Sequence, residues 1–140
     1  MQLKTTKKRI CQPSDVAPVF SAILQAESEL DQAKEHFWAL FVDTKNHVLR
    51  VELITLGLLD QTIVHPREVF RPAIGISAKS VILCHNHPSG DPEPSGKDIT
   101  LTRRLIEVGK LLDIQVLDHV VIGEAGSYVS MAEAGLAFNS

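Results

Sequence analysis

The stretch SVILCHNHPSGDPEPSGKD (residues 80–98) contains an apolar run, a loop rich in proline and glycine, and the beginning of a helix. The apolar run predicts a short buried strand over residues 80–84. The loop carries Pro88, Pro92 and Pro94, which disfavour regular structure. After the loop, apolar residues at helical spacing predict an amphipathic helix; they are Leu101, Leu105, Val108 and Leu112.

The segments before this stretch predict two helices and a hairpin. We expect a first helix from residue 13 to about residue 34, and its apolar face would contain Val19, Ile23, Ala26 and Leu30. A continuous apolar run over residues 37–42 predicts a buried strand, and residues 47–56 predict a second strand that a turn joins to it. A helix should begin at Pro66 and be kinked or split at Pro72, which lacks the amide that bonds back one turn.

The segments after it predict two further strands, over residues 116–122 and 128–130, and a final helical turn over residues 131–136. Helices interleaved with strands, some of them in hairpins, favour an α/β (α+β) fold. The expected architecture is a mixed-sheet sandwich with flanking helices rather than an all-parallel sheet. Residues 1–13 are predicted to form a flexible tail, and residues 14–138 a single domain.

Composition and charge favour a cytoplasmic globular domain. The 140 residues carry 14 Lys and Arg against 17 Asp and Glu, and this negative balance argues against a broad phosphate-binding surface. Cys11 and Cys84 do not make a disulfide framework, which fits a reducing compartment. No apolar run approaches the roughly 18 residues of a membrane span, so we expect no membrane association.

His85 and His87 have the spacing of metal ligands. In extended chain, residues i and i+2 point to the same side, so both imidazoles can approach one point beyond the strand. Ser95 and Asp98 follow at the expected start of the next helix. Two imidazoles and one carboxylate suit zinc, and three protein ligands leave a fourth position for water, as in catalytic zinc sites.

A purely local interpretation of the same residues is also available. A His-x-His pair is weak evidence by itself, and Ser95 with Asp98 also forms a capping box. A helix cap does not explain two histidines at the end of a buried strand. The combination therefore favours a metal site, with the cap as a compatible feature.

The spacing of these residues resembles the motif of the JAB/MPN (JAMM) metalloenzyme superfamily. That motif is His-x-His-Pro, six residues, Ser, two residues and Asp, and it is met by His85, His87, Pro88, Ser95 and Asp98. The chain is more closely similar to the RadC-like branch, with further matching stretches at residues 65–68, 118–119 and 122–123. The resemblance covers residues 15–136 and implies a JAB/MPN-like fold with cytidine-deaminase-like layering.

The resemblance implies a zinc-dependent hydrolase that cleaves a peptide or isopeptide bond. Its metal ligands would be His85, His87 and Asp98, and Ser95 would donate a hydrogen bond to the developing oxyanion. The family's glutamate lies where the first helix gives way to the first strand, a place that Glu35 occupies. Glu35 would then be the general base, with Glu52 as the alternative.

The other histidines have expected structural roles. We expect His36 and His47 to lie at the surface. His65 and His119 fall in the family-like stretches, where packing or a hydrogen bond to a ligand is the favoured interpretation.

Two other functions remain open from the residues. One is a non-catalytic, zinc-stabilised interaction module in DNA processing or mobile-element biology. The other is a metal-dependent nuclease, which the negative charge and the single carboxylate ligand disfavour. RadC-like proteins carry a nominal link to DNA repair and usually an N-terminal helix-hairpin-helix region that this chain lacks, so direct nucleic-acid binding is not expected. The peptide or protein substrate and the oligomeric state stay open.

Overall fold

A mixed β-sheet with helices on both faces forms the framework. The computed structural model describes residues 2–3, 8–57 and 64–138. Its elements in chain order are β1 (Gln2–Leu3), α1 (Pro13–Gln25), α2 (Glu29–Gln32), β2 (His36–Val42), β3 (Val48–Leu56), α3 (Pro66–Gly75), β4 (Ser80–Asn86), α4 (Gly96–Leu112), β5 (Gln115–Ile122) and β6 (Tyr128–Ser130). The strand order is β1-β3-β2-β4-β5-β6, and β4 and β5 pair in parallel. The predicted mixed α/β architecture is confirmed.

β2 is buried on both faces. Phe37, Ala39 and Phe41 belong to the core shared with α3 and α4. Trp38 and Leu40 belong to the core shared with α1. Successive strand residues point to opposite faces, so a strand covered on both sides reads as a continuous apolar run.

The β4–α4–β5 unit forms the surroundings of the predicted metal ligands. His85 on β4 pairs with Phe37 on β2. Leu83, on the same face of β4 as His85, packs in the core shared with α3 and α4. β4 continues to Asn86, two residues beyond its predicted end. The proline-rich loop then leads to α4, with Ser95 as N-cap. The first turn of α4 therefore comes close to the carboxyl end of β4.

The first helix is shorter than predicted, and the expected buried position of Leu30 is wrong. α1 ends at Gln25, and Leu30 is 75% exposed. The side chain of Ser28 accepts a hydrogen bond from the amide of Asp31 and so caps the separate helix α2. This local capping interrupts the helical run that the apolar spacing suggested.

Of the kink or split predicted at Pro72, the split is absent. α3 runs without interruption from Pro66 to Gly75 with Pro72 inside it. Buried Val69, Phe70 and Ala73 hold the helix against the core on both sides of the proline. Their packing compensates for the one hydrogen bond that the missing amide removes.

Residues 8–10, part of the predicted tail, bond to the turn after β2 and to the first residue of β3. The amide of Val48 donates to the carbonyl of Lys8 at 2.8 Å, and the amide of Ile10 donates to the carbonyl of Asn46 at 2.9 Å. Ile10 is buried in the α1-side core. Across the described parts of the chain, no helix combines the length and the hydropathy that a bilayer crossing requires.

Candidate metal centre

Four side chains that can bind a metal converge beyond the carboxyl end of β4. Glu35, His85, His87 and Asp98 each contribute one ligand atom, and these atoms all lie within 4.8 Å of one another. Glu35 directly precedes β2, and Asp98 lies in the first turn of α4. Three separate regions of the chain are thereby joined at one point.

The ligand atoms of the two histidines and the aspartate form a compact triangle. Nε2 of His85 lies 2.9 Å from Nε2 of His87 and 3.3 Å from Oδ2 of Asp98, and Nε2 of His87 lies 3.1 Å from the same oxygen. In a tetrahedral zinc site with bonds of about 2.0–2.1 Å, ligand atoms lie roughly 3.3 Å apart. The triangle fits one small cation after an expansion of a few tenths of an ångström.

The charge of the group also suits a divalent cation. Burial raises the pKa of Asp98, but the imidazoles of His85 and His87 beside the carboxylate outweigh it and hold that pKa far below its usual range. The hydrogen bond between His87 and Asp98 raises the pKa of His87 against the opposing effect of burial. The hydrogen bond to the carbonyl of Asp91 raises that pKa further. Two imidazoles beside one firmly ionised carboxylate form a donor set that suits zinc and other divalent transition metals.

Ser95 caps α4 and contacts the same carboxylate. Its hydroxyl accepts a hydrogen bond from the amide of Asp98 at 3.2 Å, and its amide donates to Oδ2 of Asp98 at 2.8 Å. The capping box and the ligand triangle therefore share Asp98. The capping interpretation and the metal-site interpretation are both compatible with this geometry.

Glu35 lies in the group, whereas Glu52 lies elsewhere. The Asn86 side chain accepts from the amide of His36 at 2.6 Å and donates to the carbonyl of Lys34 at 3.1 Å, so it bonds the backbone on both sides of Glu35. Glu52 sits on β3 and pairs with Arg50 at 3.3 Å. Sequence reasoning did not single out Asn86, although its position between the two histidines was a signal.

A buried chain of hydrogen bonds lies behind His85. Nδ1 of His85 is 2.7 Å from Nε2 of His119, and Nδ1 of His119 is 2.6 Å from the hydroxyl of Thr102. That hydroxyl donates to the carbonyl of Asp98 at 2.7 Å. Burial lowers the pKa of His119, and the neighbouring His85 lowers it further. Thr102 was missed, although it lies one helical turn after Asp98 on the same face.

The expected surface position of His36 is wrong. The residue is buried, its ring stacks on Trp38 with centroids 5.0 Å apart, and its Nδ1 lies 2.8 Å from the carbonyl of Lys34. As the first residue of β2, His36 shares the face of Trp38 and so enters the α1-side core. His47 is partly exposed, and His65 is the N-cap residue of α3.

Comparison with known proteins gives one consistent result. A family model described as RadC-like JAB domain matches residues 10–136. The UPF0758 proteins of Methanosarcina acetivorans and Methanococcoides burtonii are 48% and 51% identical over 129 residues, which are 92% of this chain and 54% of each relative. The UPF0758 protein of Geobacter sulfurreducens is 53% identical over 106 residues, 76% of this chain and 46% of the relative. The chain thus spans about half the length of these relatives.

Proposed function

This chain belongs to the RadC-like JAB domain family, and we propose that it is a zinc-dependent hydrolase that cleaves an amide bond in a peptide or isopeptide substrate. The convergence of Glu35 on the ligand triangle carries the proposal. Structural zinc sites are typically closed by Cys and His ligands, whereas a glutamate beside two imidazoles and a second carboxylate suits a site whose fourth position is open to water. The side chain of His87 is 16% exposed, so the group is reachable from solvent.

Three side chains would hold the metal. His85 and His87 supply imidazole nitrogens, and Asp98 supplies an anionic oxygen. When bound, zinc would lower the pKa of water to about 7 and polarise the carbonyl of the substrate.

Glu35 and Ser95 would act on the reacting atoms. Glu35 takes a proton from the attacking water and delivers it to the nitrogen of the leaving amine, so that hydrolysis yields a carboxylic acid and an amine. The Ser95 hydroxyl accepts the amide proton of Asp98 and retains its own proton, which it can donate to the carbonyl oxygen of the substrate.

Metal content tests the ligand set. Mass spectrometry of the wild-type protein should find about one zinc ion per chain. Asp98→Ala should lose it, because the anionic ligand is removed. Glu107→Ala is the matched control, because its exposed carboxylate lies on the same helix and pairs with Lys110 without joining the ligand group. A wild-type protein that takes up no zinc would refute the proposal.

Turnover tests the role of Glu35. Glu35→Gln should retain zinc and abolish hydrolysis of a panel of peptide and lysine-isopeptide substrates, while Glu52→Gln should remain active. Zinc binding without hydrolysis of any substrate in the panel would favour the interaction module. Cleavage of phosphodiesters in place of amides would favour the nuclease.

A further inference from the structure

The hydrogen bonds behind His85 form one continuous path between two of the candidate ligands. The path begins at Nδ1 of His85, passes through His119 and the hydroxyl of Thr102, and ends at the backbone carbonyl of Asp98. His85, His119 and Thr102 are each fully buried. Its three distances, 2.7, 2.6 and 2.7 Å, are short enough for a direct hydrogen bond at each step.

The carbonyl of Asp98 determines the direction of every proton on this path. The carbonyl oxygen of Asp98 only accepts, and at 2.7 Å it is a stronger acceptor than Sδ of Met131 at 3.8 Å, so the single hydroxyl proton of Thr102 points to Asp98. The hydroxyl oxygen then accepts from Nδ1–H of His119. A neutral imidazole carries one N–H, so Nε2 of His119 is an acceptor.

The last bond of the path determines the tautomer of His85. Because Nε2 of His119 accepts, Nδ1 of His85 carries the proton and donates it. Nε2 of His85 is then unprotonated, and this is the atom that faces His87 and Asp98. The reverse polarity would put a proton on the nitrogen that a metal needs.

We propose that His119 and Thr102 are positioning residues of the metal centre, which hold His85 in the tautomer and ring orientation that present Nε2 to the cation. This inference rests on the proposed function, since it assumes that the triangle binds a metal. The path joins three elements, because His85 lies on β4, His119 on β5 and Thr102 on α4. Removal of a hydrogen-bonding partner behind a ligating histidine typically weakens metal binding about 10–100-fold.

A matched pair of variants at residue 102 tests the inference. Thr102→Val removes the hydroxyl and keeps the shape, whereas Thr102→Ser keeps the hydroxyl and removes the methyl group. We expect Thr102→Val to weaken zinc binding about 10–100-fold in a chelator competition and Thr102→Ser to stay near the wild type. The absorption spectrum of the cobalt(II)-substituted protein should likewise change more in Thr102→Val than in Thr102→Ser. A threonine that served packing alone would be affected at least as much by Thr102→Ser.

A measurement on the wild-type protein does not depend on the folding of a variant. Nitrogen-15 NMR of the histidine rings in the zinc-loaded protein should show both His85 and His119 protonated at Nδ1. A His119 ring protonated at Nε2, or equal zinc affinities in Thr102→Val and Thr102→Ser, would overturn the inference and leave the proposed function intact. A wild-type protein that binds no zinc would overturn both.

Discussion

The side chain of Asn86 holds Glu35 in place through the backbone on either side of it. Oδ1 of Asn86 accepts a hydrogen bond from the backbone amide of His36 at 2.6 Å, and Nδ2 of Asn86 donates to the carbonyl of Lys34 at 3.1 Å. The strand that supplies His85 thus also orients the segment that carries the proposed general base. Asn86 is buried, so these bonds are shielded from exchange with water.

Asn86→Ala should therefore affect turnover more than metal binding. The buried amide of His36 loses its acceptor, which should lower the free energy of unfolding by about 1–3 kcal/mol. Displacement of Glu35 by about 1 Å could lower kcat about 100-fold. Urea unfolding, zinc competition and turnover measure the three effects. Gln115→Ala, which removes an exposed amide side chain at the start of β5, should change none of them. Equal losses in zinc affinity and turnover would contradict the assigned role.

Substitutions at Ser95 can separate helix capping from catalysis. Glycine in place of serine at an N-cap costs only about a few tenths of a kcal/mol and has no side-chain donor, so Ser95→Gly should leave stability nearly unchanged. Ser95→Ala should lower the free energy of unfolding by about 1 kcal/mol. Both variants should lower kcat about 100- to 1,000-fold if the hydroxyl donates to the oxyanion. Wild-type turnover in Ser95→Gly would restrict Ser95 to the cap.

Gly123 allows the loop after His87 to approach β5 closely. A Cβ atom at Gly123 would lie 2.3 Å from the carbonyl oxygen of Gly90 and 2.5 Å from Oγ of Ser127. Gly90 is part of the loop, since its amide bonds to the carbonyl of His87. Gly123→Ala should displace this loop, weaken zinc binding and destabilise the fold by about 1–3 kcal/mol. Gly75→Ala is the matched control, because a Cβ atom at Gly75 meets nothing within 4 Å. It should leave zinc binding unchanged and leave stability equal to that of the wild type or slightly higher.

Cys84 should make stability fall at alkaline pH. Burial raises the pKa of its thiol well above the ordinary value of 9.0, with a smaller contribution from Asp118. Above that ordinary value the unfolded chain releases a proton that the folded protein retains. The free energy of unfolding therefore falls as pH rises towards the folded pKa, by up to about 1.4 kcal/mol per pH unit.

The measurement compares unfolding of two proteins between pH 8 and 10. Both proteins carry Cys11→Ser, so that the exposed thiol does not contribute. The free energy of unfolding should fall less steeply with pH in the protein with Cys84→Ala than in the protein that retains Cys84. Parallel pH profiles would show that another group controls alkaline stability.

The local features of the site were predictable from the sequence because each depends on neighbouring residues. The apolar run of β4, the prolines of the loop and the capping box of α4 are read within a few positions. The spacing of His85, His87 and Asp98 belongs to this class. Errors arose where local signals competed, as between the apolar spacing of the first helix and the cap at Ser28.

Contacts between distant residues required the tertiary structure. The pairing of β2 with β4 decides that Glu35 rather than Glu52 joins the ligands, and that His36 is buried. Thr102 and His119 are 17 residues apart, and His36 and Asn86 are 50 apart. By itself the sequence determined the candidate ligands, their spacing and the helix cap, because these follow from local geometry. Only the tertiary structure decided which carboxylate, amide and hydroxyl accompany them, because strand register and helix docking depend on packing across the whole core.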